Sequence, residues 1–241
     1  MSTSPSELTP LLAFGAHPDD IEFGVGGVLA AEARQGRAIH LVVGSRGEAG
    51  TNGTPDERTA EAETAAKLLG ATLEFVDLGG DANIEATRAG ARQLAAIIRW
   101  VRPGVILAPT TEPDQHPDHA ALGAMVRDAA RLARYGGLEA LQPAEPHAIA
   151  HLLYYAISPD AAPAAGKPLL YQLSDDDVAV WQRAMEAHAS QMKTRDYVTL
   201  QLTRARLLGL NAGLGHAIGL YPNDPLAISS LGSLGAGSRR F

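Results

Sequence analysis

No cysteine occurs in the 241-residue chain, which excludes a disulfide framework, a thiolate metal ligand and a cysteine nucleophile. Any metal must therefore be held by nitrogen and oxygen. Aromatic residues make up only 5% of the chain, so helix and sheet must pack largely through the abundant Ala and Gly. No run of about 18 apolar residues is present, and Met1 to Glu7 lack the basic and apolar regions of a secretory signal. These absences predict a cytoplasmic protein without a membrane segment. Basic residues number 20 against 27 acidic ones, a formal net charge of −7. That balance argues against a general nucleic-acid binder, which needs a basic surface to neutralise phosphates.

What the chain does have is an alternation of apolar strands and amphipathic helices. Its length suits one large α/β domain over residues 1–241, with residues 1–9 and 235–241 expected to be loose. Strands are predicted at 10–16, 38–43, 72–78, 105–108, 149–156 and 169–173. Helices are predicted at about 22–35, 55–69, 84–101, 120–134, 174–193 and 196–208. Phe23, Val25, Val28 and Leu29 are core candidates in the first helix, Thr54-Pro55 is a start signal for the second, and Ser174 is an N-cap. The leading β-α-β-α-β-α-β order predicts a Rossmann-like three-layer α/β/α fold with a mostly parallel central sheet.

Two clusters carry the chemistry. Ala16-His17-Pro18-Asp19-Asp20 follows the first strand, and Asp114-Gln115-His116-Pro117-Asp118-His119 follows the strand at 105–108. Each places imidazole and carboxylate beside a proline that stiffens the turn, at the strand end where open α/β sheets bind ligands. One histidine and one aspartate cannot hold a catalytic divalent ion, which usually takes three protein ligands, so the two clusters are expected to converge on one site. Each cluster alone is equally readable as a turn with an aspartate cap. Gly24-Val25-Gly26-Gly27 hints at a dinucleotide loop, but Leu29 stands where the last glycine is required.

The AHPDD and HPDH clusters, in this order and spacing, resemble the LmbE-like (PIG-L) family of zinc-dependent N-acetylglucosaminide deacetylases. Gly44 to Gly50, the segment from Gly53 to Arg58 with the helix that follows, His188-Ala189-Ser190-Gln191 and Tyr221 to Leu226 extend the resemblance, the last two towards the branch acting in bacillithiol biosynthesis. The resemblance implies Zn2+ held by His17, Asp20 and His119, and a small-molecule acetylated amino-sugar substrate. It also implies a homo-oligomer, trimer or hexamer, while the acidic balance and the lack of a long apolar run predict no nucleic-acid or membrane partner. Asp19 is then the expected general base and His116 the group facing the developing oxyanion, with Asp118 holding the ring of His116 or of His119. Arg46 is expected to bind a substrate carboxylate, as in N-acetylglucosaminyl malate, with Glu48 and His188 near the same pocket. The competing readings are deacetylation of a chitooligosaccharide or mycothiol-type sugar, thiol-conjugate amidase activity, a metal-dependent phosphoesterase and a nucleotide-binding α/β module without chemistry.

Overall fold

A computed structural model describes residues 8–113, 116–164 and 166–233. In chain order the elements are β1 (Leu11–Gly15), α1 (Asp20–Arg34), β2 (Ile39–Val43), α2 (Pro55–Leu68), β3 (Thr72–Phe75) and α3 (Arg88–Val101). There follow β4 (Val105–Pro109), α4 (Pro117–Ala133), β5 (His151–Tyr155), β6 (Leu169–Leu173), α5 (Asp175–Glu186), α6 (Tyr197–Asn211) and β7 (His216–Pro222). The strands form one sheet in the order β3-β2-β1-β4-β5-β7-β6. The first five run parallel, and β7 lies antiparallel between β5 and β6. This is the expected α/β/α fold with a mostly parallel sheet.

The period-2 geometry of a strand divides its side chains between two cores. Leu11 and Ala13 of β1 face a core built with α1, α2, α5 and α6, while Leu12 and Phe14 face one built with α3 and α4. Phe23, Val25, Val28 and Leu29 are all buried, as their spacing predicts. Gly24, Gly26 and Gly27 lie within α1, not in a ligand loop. A Cβ on Gly26 would come 2.7 Å from the Trp181 ring, and one on Gly24 would run into the Tyr155 ring. The glycines let α1 approach its neighbours, and the indole Nε1 of Trp181 donates to the Glu22 carbonyl at 2.6 Å.

Several boundaries differ from the sequence reading. Helix α3 begins at Arg88, capped by Thr87 accepting from the Gly90 amide. Helix α5 ends at Glu186 instead of running to 193, because Ser190 is drawn across to Glu61: its amide and hydroxyl each donate to that carboxylate at 2.7 Å. Strand β7 has no counterpart in the sequence reading. Its Gly219 and Pro222 obscure the strand pattern, and its pairing is entirely non-local. Among the described residues no helix is long and apolar enough to cross a membrane. The ends expected to be loose fall outside the described residues at 1–7 and 235–241, as do Asp114 and Gln115.

Candidate active site

Strands β1 and β4 are neighbours in the sheet, yet the helices that follow them leave to opposite faces, α1 to one and α4 to the other. A crevice opens between such strands at their carboxyl ends, the topological switch point of an open α/β sheet. Both clusters lie on its rim. Asp20, the first residue of α1, is fixed by its own turn: Oδ2 accepts the amides of Ala16 (2.8 Å) and His17 (2.9 Å), and Oδ1 lies 3.1 Å from His119 Nε2. One carboxylate thus ties the clusters together.

Asp19 occupies the N-cap position of α1 with φ 124° and ψ −28°. A residue bearing a Cβ adopts such a conformation at a cost of about 1–3 kcal/mol, and such strain collects where side-chain aim matters. Its Oδ2 lies 3.4 Å from Arg58 NH2. The second cluster does not precede α4 as expected but forms its first turn. His116 is the N-cap, and its Nδ1 accepts the Asp118 amide at 3.3 Å. Asp118 engages a different ring from the two anticipated: Oδ2 lies 3.2 Å from His17 Nε2 and accepts the Ala82 amide at 2.8 Å, whereas its nearest approach to His116 Nδ1 is 3.9 Å.

Two charged residues at the site were not singled out from the sequence. Asp81, buried, lies 3.2 Å from His17 Nε2 and 3.5 Å from His116 Nε2. Arg58, also buried, donates to the carbonyls of Gly47 (3.2 Å) and Pro18 (3.1 Å). Asp81 follows β3, the third parallel strand ending on this edge, and Gly79-Gly80-Asp81 beyond that strand was the available signal. Arg58 sits in the segment that resembles the family's next helix, a likeness that does not single out its arginine.

The donor atoms of His17, Asp20 and His119, all three residues buried, lie within 4.8 Å of one another, as do those of His17, Asp81, His116 and Asp118. Two imidazoles with one carboxylate suit zinc or another borderline divalent ion. The surrounding charge fits a cation as well, since carboxylates of Asp20, Asp81 and Asp118 stand within 3.4 Å of one imidazole. Burial lowers the His17 pKa, but the Asp20 charge and hydrogen bonds to Asp118, Asp20 and Asp81 outweigh it and push it up to about 12. For Asp20, burial is overcome by His119 and His17, which hold its carboxyl well below the usual range. Asp19 is pushed up to about 6 by burial and by the Asp20 charge, with Arg58 opposing. His116 is lowered by burial and by the neighbouring His17.

The site forms the floor of a cavity of about 600 Å³, whose walls include Phe23, Ala49, Gln191, Arg195 and Tyr197. The structure brings His17, Asp19, Asp20, His116 and His119 to this cavity, with Asp118 directly behind His17. It does not bring Arg46, Glu48 or His188 there. Arg46 and Glu48 line a separate surface pocket, Arg46 over the Phe75 ring with its carbon Cζ 4.9 Å from the centroid. Glu48 accepts the amides of Arg46 and Asp81, and so braces the loop carrying Asp81. His188 is fully buried against Glu22 (3.4 Å) and the Phe23 ring.

A buried His/Asp set at an α/β switch point, under a cavity of ligand size, defines a candidate metal-dependent enzyme of the α/β class. The PIG-L family model, described as GlcNAc-PI de-N-acetylase, matches residues 12–130. The chain is 30% identical over 241 aligned positions, covering 82% of it and 80% of the relative, to a 1D-myo-inositol 2-acetamido-2-deoxy-alpha-D-glucopyranoside deacetylase of Nakamurella multipartita. It is 31% identical over 138 positions to the 4-oxalmesaconate hydratase of Pseudomonas putida, a match spanning 52% of this chain and about half, 53%, of that protein. The crystal structure of a conserved protein from Thermus thermophilus superposes with a TM-score of 0.80 at 29% identity, covering 95% of this chain and all of that one. The chain belongs to the PIG-L family.

Proposed function

We propose that this protein removes the acetyl group from an N-acetylglucosamine conjugate, with N-acetylglucosaminyl malate, the bacillithiol precursor, as the leading substrate. The observation that carries the reading is the buried His17, Asp20 and His119 set with Asp19 beside it on the floor of a sugar-sized cavity. His17, Asp20 and His119 would hold zinc, which when bound supplies Lewis acidity and a water nucleophile near neutral pH.

Asp19 is placed to take the proton of the attacking water on its carboxylate and to return it to the departing amine. Its strained backbone and the Arg58 guanidinium restrict where that carboxylate can point. His116 needs no extra charge to serve the oxyanion. Because Nδ1 accepts the Asp118 amide, the proton of the neutral ring sits on Nε2, which lies 3.5 Å from Asp81 at the cavity lining and is placed to donate to developing negative charge there. Asp118 and Asp81 hold the His17 ring from the side away from Asp20.

The test is amine release from N-acetylglucosaminyl malate, diacetylchitobiose and N-acetylglucosaminyl inositol, before and after chelation and zinc restoration. Metal-dependent release with the malate conjugate preferred supports reaction and substrate together; preference for a neutral sugar retains the reaction and discards the bacillithiol assignment. A second reading, water addition to an unsaturated carboxylate, is favoured by the hydratase relative. Loss of the conjugated-alkene absorbance of 4-oxalmesaconate, without amine release from any acetylated sugar, would establish it instead. The same reading takes the protein to act in the cytoplasm as a trimer or hexamer, which sedimentation velocity checks.

A further inference from the structure

Two arginines line the cavity, and they differ in what they are free to do. Arg58 is buried and bound to Gly47, Pro18 and Asp19. Arg195 stands exposed at the wall just ahead of α6, and no carboxylate or carbonyl among the described residues pairs with its guanidinium. The guanidinium carbon lies 5.8 Å from the centroid of the Tyr197 ring, which in turn stacks on Phe23 with centroids 5.2 Å apart. Phe23 belongs to the first turn of α1, three residues after Asp20. A short chain of rings therefore connects this cation to the metal-binding turn. The neighbouring acid, Asp196, is occupied as the cap of α6, accepting the Thr199 amide at 2.9 Å.

The wall that carries Arg195 is braced. Gln191 Nε2 donates to the Asn52 carbonyl at 2.9 Å, Asn52 Nδ2 reaches Thr194 at 3.4 Å, and Ser190 is held by Glu61. These bonds tie the segment at 190–194 to the loop after β2 and to α2, and residues of both the segment and the loop line the cavity. A planar guanidinium held on such a wall can bind a carboxylate with two parallel hydrogen bonds.

We infer that Arg195 is a specificity-determining residue, binding a carboxylate on the part of the substrate that projects out of the cavity beyond the reacting amide. The assignment replaces Arg46, which faces another pocket, and it rests on the deacetylase reading for the identity of the remaining substrate. It selects glycosides with an anionic aglycone over neutral ones. Asp160, which also lines the cavity, offers a carboxylate to sugar hydroxyls.

The experiment is calorimetric binding of the amine product glucosaminyl malate and of methyl glucosaminide, which has the same amine but no carboxylate, to the metal-containing wild-type protein, R195A and R195K, at low and high salt. The wild type is expected to bind the malate conjugate more tightly. R195A should lose roughly tenfold in affinity for it, the scale of one exposed charge-assisted contact, with methyl glucosaminide unchanged and R195K intermediate. The wild-type preference should also shrink as salt rises, and that of R195A should not. In turnover, R195A should raise KM for N-acetylglucosaminyl malate and leave kcat within about twofold, the pattern of lost uniform binding.

Equal binding of the two ligands by the wild type, or an equal loss for both in R195A, overturns the inference. A preference that disappears in R195A, in a protein that releases amine from no acetylated sugar, upholds the carboxylate contact and rejects the deacetylase reading.

Discussion

Asp19 and Asp20 are adjacent in sequence and opposite in circumstance. Asp20 is bound by two amides and beside His119, while Asp19 faces the cavity from a strained backbone. Their separate roles give a direct prediction. Asp19→Asn should retain the metal, measured by elemental analysis, and lower kcat by about 10²–10⁴, the usual contribution of a positioned acid or base. Retention of both metal and full turnover would remove Asp19 from the mechanism. The clusters themselves were legible because His, Pro and Asp stood at two strand ends. Asp81 and Arg58 were not, because each is brought to the site by a loop or helix whose path depends on tertiary contacts. Arg46 was misplaced for the converse reason: a likeness in a local stretch does not say which way a loop side chain turns, and here the ring of Phe75 takes it.

At the scale of elements, α1 presents its turn to the crevice because three of its residues have no side chain. Gly24→Ala would push a methyl group into the ring of Tyr155, whose hydroxyl donates to the Phe14 carbonyl at 2.6 Å in β1. Overpacking of this kind costs about 1–3 kcal/mol, so the variant should melt several degrees below wild type by calorimetry; an unchanged Tm would contradict the packing account. A second prediction concerns α5. Burial raises the Asp177 pKa, but hydrogen bonds from Arg34 (2.8 and 3.1 Å) and Ser174 more than offset this and hold it below its ordinary 3.8. A group whose folded pKa is depressed adds stability above its unfolded pKa and loses it as pH falls through the folded value. Asp177→Asn should therefore be less stable than wild type at pH 6, by about 1 kcal/mol for a broken capping box. Below pH 4 the gap should close in urea titrations. The start of α5 was legible from Ser174 and its acidic first turn. Its early end was not, since a pull from Glu61 leaves no mark in the helix's own sequence.

In the molecule as a whole, the parallel half of the sheet could be read from alternating apolar runs, and the position of the site followed from two strand ends. The order β3-β2-β1-β4 then places those ends at the switch point. The antiparallel half was less accessible: β7 joins β5 and β6 through long-range pairing, and its glycine and proline mask any alternation. Two overlapping donor sets share His17, and the account requires the one built from His17, Asp20 and His119. Anomalous diffraction from zinc-loaded crystals, measured on both sides of the zinc edge, tests this most directly. One peak bounded by those three side chains, with Asp19 beside it, is the expected result. A peak among Asp81, His116 and Asp118, or none at that edge of the sheet, would contradict the central claim.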